Sequence, residues 1–272
     1  GKTGVPSREA GSKGSGMGPP GGAPGWQAPA QAQASNPGQA DLEGIVLPAL
    51  LYNEAFQEDA LVPAGLKPWQ QACEATLRER SRADALRFWG RAHEGPEGPE
   101  PPFDYRFEHT QAVVRLARWL CPQVGADPEV VECAAWLHDL CKRLGDPGGK
   151  DTHARDAAEA LPDVLEGTDF PESKRGAVRH AILHHVGLSL SHRLEPLETA
   201  CLWDADKLSK LGAASLAHFS CISGAFQPVD TAGILARGER WIGLAEGITA
   251  SMNTPPAQEE AAPRLPETAL RP

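Results

Sequence analysis

No apolar stretch in the 272-residue chain approaches the ~18 to 20 residues that a membrane-crossing helix needs, which predicts no membrane span. Residues 1–40 lack the apolar core of a secretory signal and do not read as one. Aromatic residues make up only 6% of the chain, so few are available for base stacking. Lys and Arg number 26 against 36 Asp and Glu. The net charge of −10 and the pI near 5.4 speak against a broad polyanion-binding surface, though not against a local basic pocket. The six cysteines, Cys73, Cys121, Cys133, Cys141, Cys201 and Cys221, include no CxxC pair. Several sit in apolar helical surroundings and are expected to be reduced core thiols of a cytoplasmic protein. Strand signals barely appear, and there is no repeat of fixed period.

Glycine and proline, by contrast, are abundant and concentrate at the ends and in one internal stretch. Residues 1–40 are mostly Gly, Ala, Pro, Ser and Gln, cannot repay the entropy of ordering, and are predicted to be disordered. Residues 41–93 mix apolar and charged side chains, and Trp69 to Arg91 return apolar residues at helical intervals. They predict a helical N-terminal extension packed on the main domain. The run EGPEGPEPP, residues 94–102, predicts a linker. Residues 103–255 then carry one helix signal after another, and residues 256–272 a short helix and a flexible tail. The expected fold class is all-α.

Within 103–255 the signals are specific. Phe107 to Leu120 places His109, Val113, Leu116 and Leu120 on one face. Asp127-Pro128-Glu129 is an N-cap followed by proline at the first helical position, predicting a helix through His138 and Asp139 that ends at Gly145 and Pro147. Asp151 or Thr152 can cap the next helix. Pro171-Glu172 opens one through His180, His184 and His185, and Glu195-Pro196 opens LETACLWDADKLSKL, closed by Gly212. Thr231 to Met252 reads as a late helix, and Thr254-Pro255 as the cap of a short one.

Seven of the nine histidines fall between 109 and 192. His109 lies on the apolar face of its helix. His138 shares a face with Val131 and Ala134, with Asp139 directly after it. Adjacent helical residues are about 100° apart, so this pair can share a metal only over the helix edge. Asp206 follows Leu202 at i+4 and points to the core, where a carboxylate is costly unless paired or metal-bound. Imidazole and carboxylate groups suit a divalent ion such as Zn, Mn or Fe. His153 and His185 (or His184), with Asp139 bridging, would complete a second metal position. His93, His192 and His218 read as packing or surface residues. Lys142 and Arg143 are the first candidates to face a phosphate, Lys150 and Arg193 weaker ones, and His180, His184 or His192 could protonate a leaving oxygen.

The order His109, His138-Asp139, Asp206, with its text EHTQAVVRLARWL, AAWLHDLCK, AVRHAILHHV and LWDADKLSKLGA, resembles the HD-domain metal-dependent phosphohydrolases over roughly residues 103–255. The extra histidines are similar to those of dinuclear members such as bacterial diadenosine tetraphosphate hydrolases. The Gly-Tyr-Pro signature of cyclic dinucleotide phosphodiesterases is missing. The resemblance implies one or two divalent ions (Mn, Fe, Zn, Co or Mg) on His109, His138, Asp139, Asp206, His153 and His185. It also implies hydrolysis of a small phosphorylated substrate, most simply a nucleotide, by metal-activated water, with Asp139, Lys142 and His184 as catalytic groups. It selects Asp206, followed by Lys-Leu, over Asp204 as the ligand and leaves Asp204 a supporting role. Trp136 and Trp203, beside the motifs, read as core. The alternatives are a catalytically silent HD-fold ligand-binding or regulatory module and, behind it, a di-iron oxygenase. Homodimerisation is left open.

Overall fold

A computed structural model of the chain describes residue 1 and residues 65–96, 98–145, 152–213, 215–216 and 229–265. The chain separates into two units, Gly1–Ile45 and Val46–Pro272, and every element below belongs to the second. The disorder expected for residues 1–40 and the tail beyond 265 lie outside the described residues.

α1 spans Pro68–Trp89, starts on Pro68 at its first position and stops at Gly90, whose φ of 60° is the left-handed geometry that glycine tolerates. Its inner stripe is Trp69, Cys73, Leu77, Ser81 and Ala85, an unbroken i, i+4 series. That stripe packs α1 on α2, α3 and α4. Trp69 meets Phe170 edge-on at 5.3 Å, and Gln70 Nε2 donates to Glu132 at 2.6 Å. Part of the extension read from the sequence therefore shares the core of the main helices.

The segment read as a linker is not featureless. β1 (His93–Gly95) and β2 (Gly98–Glu100) pair antiparallel, His93 opposite Glu100. Gly98, at φ 106°, permits the tight reversal, and the prolines that stop a helix are tolerated on so short an edge.

α2 (Tyr105–Val124) is capped by Asp104, which accepts from the Phe107 amide, and ends at Gly125 with φ 74°. α3 (Pro128–Leu137) is capped by Asp127, which accepts from the amides of Glu129 and Val130. From Val130 to Leu137 every residue of α3 is buried, because α1, α2, α5 and α6 surround it. α4 is His153–Val164, α5 Glu172–His184 and α6 Leu197–Leu208. α6 is buried continuously from Thr199 to Leu208. α7 (Thr231–Ala250) is capped by Asp230 through the Gly233 amide at 2.8 Å, and α8 is Pro255–Ala261. The all-α expectation holds, with the small hairpin the only sheet among the described residues.

One boundary differs from expectation and matters for the site. α3 stops at Leu137 instead of running through Asp139. His138 N still donates to Ala134 O at 2.8 Å, but the next bonds, Leu140 N to Leu137 O and Lys142 N to Asp139 O, close tighter i→i+3 turns. Asp139 thus leaves the regular helix, in which it would sit about 100° around the axis from His138.

Candidate metal centre

Four helices and the turn after α3 converge on a buried group of imidazoles and carboxylates. His109 comes from α2, His138 and Asp139 from the α3 terminus, His153 from the first residue of α4, His185 from just past α5, and Asp206 from α6. All six are buried, His138 completely.

Two of the imidazoles are oriented by the same device. The Nδ1 of His138 lies 2.7 Å from Ala135 O, and that of His185 lies 2.6 Å from Ile182 O, each three residues back. A carbonyl can only accept, so Nδ1 carries the proton and Nε2 presents its lone pair to the centre. His109 is steadied by Ser209 Oγ at 3.3 Å from its Nδ1 and by Tyr105, whose ring stacks at 5.6 Å.

The inward atoms form two sets that meet at Asp139. On one side, His109 Nε2 is 3.2 Å from Asp206 Oδ1 and 3.8 Å from Asp139 Oδ2. His138 Nε2 is 3.8 and 3.7 Å from the same two oxygens. On the other side, Asp139 Oδ1 is 3.4 Å from His153 Nε2 and 3.6 Å from His185 Nε2, which lie 3.4 Å from each other. Ligand bonds of ~2.0 to 2.2 Å in a tetrahedral shell set ligand atoms about 3.3 to 3.6 Å apart. Both sets fall at or near that spacing. His138 Nε2 and Asp139 Oδ1 are also buried without a hydrogen-bond partner, a costly arrangement that a coordinated cation resolves. The residues therefore fit a divalent ion: His109, His138 and Asp206 form one group able to hold it, and His138, Asp139 and His185 another.

The electrostatics keep the donors in ligand form. Burial pushes His109 down to about 4, helped by the ammonium of Lys210, and pushes His138 down to about 3. Both are neutral at physiological pH. Burial alone would raise the two carboxylates. Instead Lys142 holds Asp139, and Lys207 and Lys210 hold Asp206, well below the usual carboxylate range.

Other expected residues fall elsewhere. Lys142 Nζ donates to Asp139 Oδ2 at 2.8 Å and is partly exposed, at the edge of the cluster. His184 is not brought in: it is exposed, and both its hydrogen bond and its ring stacking are with His180, one turn back on the outer face of α5. His180 itself reaches Thr199 Oγ1 at 3.0 Å. Arg143, His192 and Arg193 are exposed, and Lys150 and His218 lie outside the described residues. Trp136 and Trp203 are core. Asp204 is buried two residues before Asp206 but faces Asn253 and Thr254.

Three cationic residues near the site did not stand out in the sequence. Lys207 and Lys210 grip Asp206, and Arg106, one turn before His109, is buried with an unpartnered Nε. The spacing offered a signal for Lys210, since Asp206 and Lys210 are an i, i+4 pair. Lys207 marked Asp206 as the motif residue, but a helix places it about 100° from that neighbour, so no role at the site was read for it.

Residues 106–211 match the family model of the HD domain, the segment that carries His109, His138, Asp139, His153, His185 and Asp206. A search of curated proteins finds no match. Among solved structures, a Lactobacillus plantarum protein is 22% identical, with 72% of this chain and 90% of that one covered and a TM-score of 0.50, a likeness of fold. An HD-superfamily hydrolase from Bacillus thuringiensis is 21% identical, with 72% and 90% covered and a TM-score of 0.45. Bacillus subtilis YpgQ, solved in complex with ADP, is 19% identical, with 72% and 89% covered and a TM-score of 0.46.

Proposed function

We propose that this protein is a metal-dependent hydrolase of phosphoric esters or anhydrides, in which His109, His138, Asp139, Asp206, His153 and His185 would hold one or two divalent ions. The observation that carries the reading is the division of one carboxylate between two histidine sets. Asp139 Oδ2 faces His109 and His138, and Asp139 Oδ1 faces His153 and His185. Asp206 completes the first set. When bound, the ions activate water near neutral pH and neutralise charge on the phosphoryl group.

The chain's own residues supply orientation and charge. The carbonyls of Ala135 and Ile182 fix the ring tautomers of His138 and His185. Lys142, whose ammonium is close to Asp139 yet open to solvent, is placed to meet an anionic oxygen of the substrate. His184, which stacks on His180 on the outer face of α5, has no part in this proposal. A nucleotide is the substrate favoured by the sequence resemblance. The free, mostly buried thiols suit a reducing compartment such as the cytoplasm.

The test is elemental analysis of the purified full chain together with release of phosphate from a panel of nucleotides, for wild type and Asp139→Asn. Two equivalents of Mn, Fe, Zn or Co and a hydrolytic turnover, both lost in the variant, are expected. Metal binding without turnover on any phosphorylated compound would leave a ligand-binding module. An iron pair consuming dioxygen would point to an oxygenase instead.

A further inference from the structure

The carboxylate of Asp206 is held by two lysines, one on each oxygen. Lys207 Nζ donates to Oδ2 and to the His185 carbonyl at 3.1 Å, and it lies 5.3 Å from the centre of the Trp203 ring. Lys210 Nζ donates to Oδ1 and to the Asp206 carbonyl at 3.2 Å, and lies 3.4 Å from His109 Nε2.

The second set of contacts is unusual in what it uses. Asp206 Oδ1 and His109 Nε2 belong to the group able to hold an ion with His138. An ammonium donating to those atoms occupies the lone pairs that a divalent cation needs. The two cations compete for them, because like charges a few ångströms apart in a buried site repel strongly.

The two lysines differ in their freedom to leave. Lys207 is closed in, at 3% side-chain exposure, and its second partner is a fixed carbonyl. Lys210 is 22% exposed and lies two residues beyond the end of α6, on a four-carbon stem with several rotatable bonds. Its ammonium can swing away while its backbone stays one turn from Asp206.

We propose that Lys210 is a displaceable cation: it competes with the metal for Asp206 Oδ1 and His109 Nε2, and on metal loading its ammonium passes to the phosphate of the substrate. The inference rests on the metal-site reading above. Its chemistry is exchange of ion-pair partners, with no bond made or broken. The lysine leaves one anion as the metal takes it and finds another in the phosphoryl oxygens, so the charge at the mouth of the site stays balanced. Lys207 keeps Asp206 Oδ2 throughout and fixes the carboxylate while Oδ1 changes partner.

The experiment uses the full chain stripped of metal with a chelator. Mn²⁺ is titrated calorimetrically into wild type, Lys210→Met and Lys210→Arg, and inorganic phosphate is then titrated into the Mn-loaded forms. Lys210→Met is expected to bind Mn²⁺ about tenfold more tightly, a difference of about 1.4 kcal/mol. Its phosphate affinity is expected to fall, while Lys210→Arg stays near wild type in both. These opposite shifts distinguish the proposal from a loosened fold, which would weaken both. Far-UV circular dichroism checks folding, and Lys210→Gln replaces the methionine variant if that aggregates. Unchanged Mn²⁺ affinity overturns the competition, and unchanged phosphate affinity overturns the transfer. No Mn²⁺ uptake by wild type or variant overturns the metal-site reading, and the inference with it.

Discussion

The Nε2 atoms of His153 and His185 lie 3.4 Å apart, and Asp139 Oδ1 lies within 3.6 Å of both. The two rings meet edge-on, at 80°, so their nitrogens converge while their planes do not stack. This arrangement comes from α4 and the end of α5, and the other ligand candidates come from elsewhere. His153→Ala or His185→Ala is therefore expected to lower bound metal from two equivalents toward one, leaving the His109, His138 and Asp206 set loaded. Elemental analysis of each variant checks this, and loss of both ions together would show one indivisible centre.

Stability should depend on pH through the depressed histidines. The folded-state values of His109 and His138, about 4 and about 3, lie below the ordinary 6.5. Between those limits the unfolded chain binds protons that the folded protein does not. Stability is thus fully present above about pH 6.5 and is lost as pH falls toward 4. For metal-stripped protein, urea unfolding from pH 7.5 to 4.5 should show this decline. In His109→Gln the decline should be shallower by about 3 kcal/mol.

Asp204 serves the fold and not the metal. Its Oδ1 accepts from the amide and side-chain nitrogens of Asn253 at 2.8 and 2.9 Å. Its Oδ2 accepts from the amide and hydroxyl of Thr254 at 2.8 and 2.7 Å. A residue on α6 thus supplies the acceptor at the start of α8. Asp204→Ala strands these buried donors and should cost about 3 kcal/mol in chemical denaturation. Metal stoichiometry of the folded variant should be unchanged, and its loss would mean Asp204 positions Asp206 directly.

Gly145 sits at φ 71°, and a Cβ there would come within 2.8 Å of Phe88 on α1. Gly145→Ala should destabilise by at least about 1 kcal/mol through both backbone strain and the contact. Thermal unfolding measures it. A neutral effect would show that the turn after Lys142 adapts freely.

Much of the helical plan was legible locally. Asp127-Pro128 and Thr254-Pro255 mark helix starts, because caps are properties of a few adjacent residues. The hairpin at His93–Glu100 was missed because Pro and Gly mark a break without saying whether its two sides pair. The early stop of α3 was missed for a related reason: the turn at His138-Asp139 is imposed by packing around the site, and no breaker residue announces it.

The order His109, His138-Asp139, Asp206 could be read from the chain because ligand chemistry restricts which side chains can serve. So could the burial of Asp206, which its periodicity implies. Choices between neighbours were another matter. His185 shares a helical face with the apolar Val178 and Ile182 and His184 shares one with His180, and the packing of α5 turns the first face inward and leaves His184 stacked on His180. Lys207 and Lys210 look like solvated residues at a helix end until α2 and the end of α5 bring His109 and the His185 carbonyl against them. Helix period and side-chain chemistry act over a few residues and are written along the chain. Which charge meets which across the core depends on how the helices pack, and contacts between residues about 100 positions apart carry no local mark.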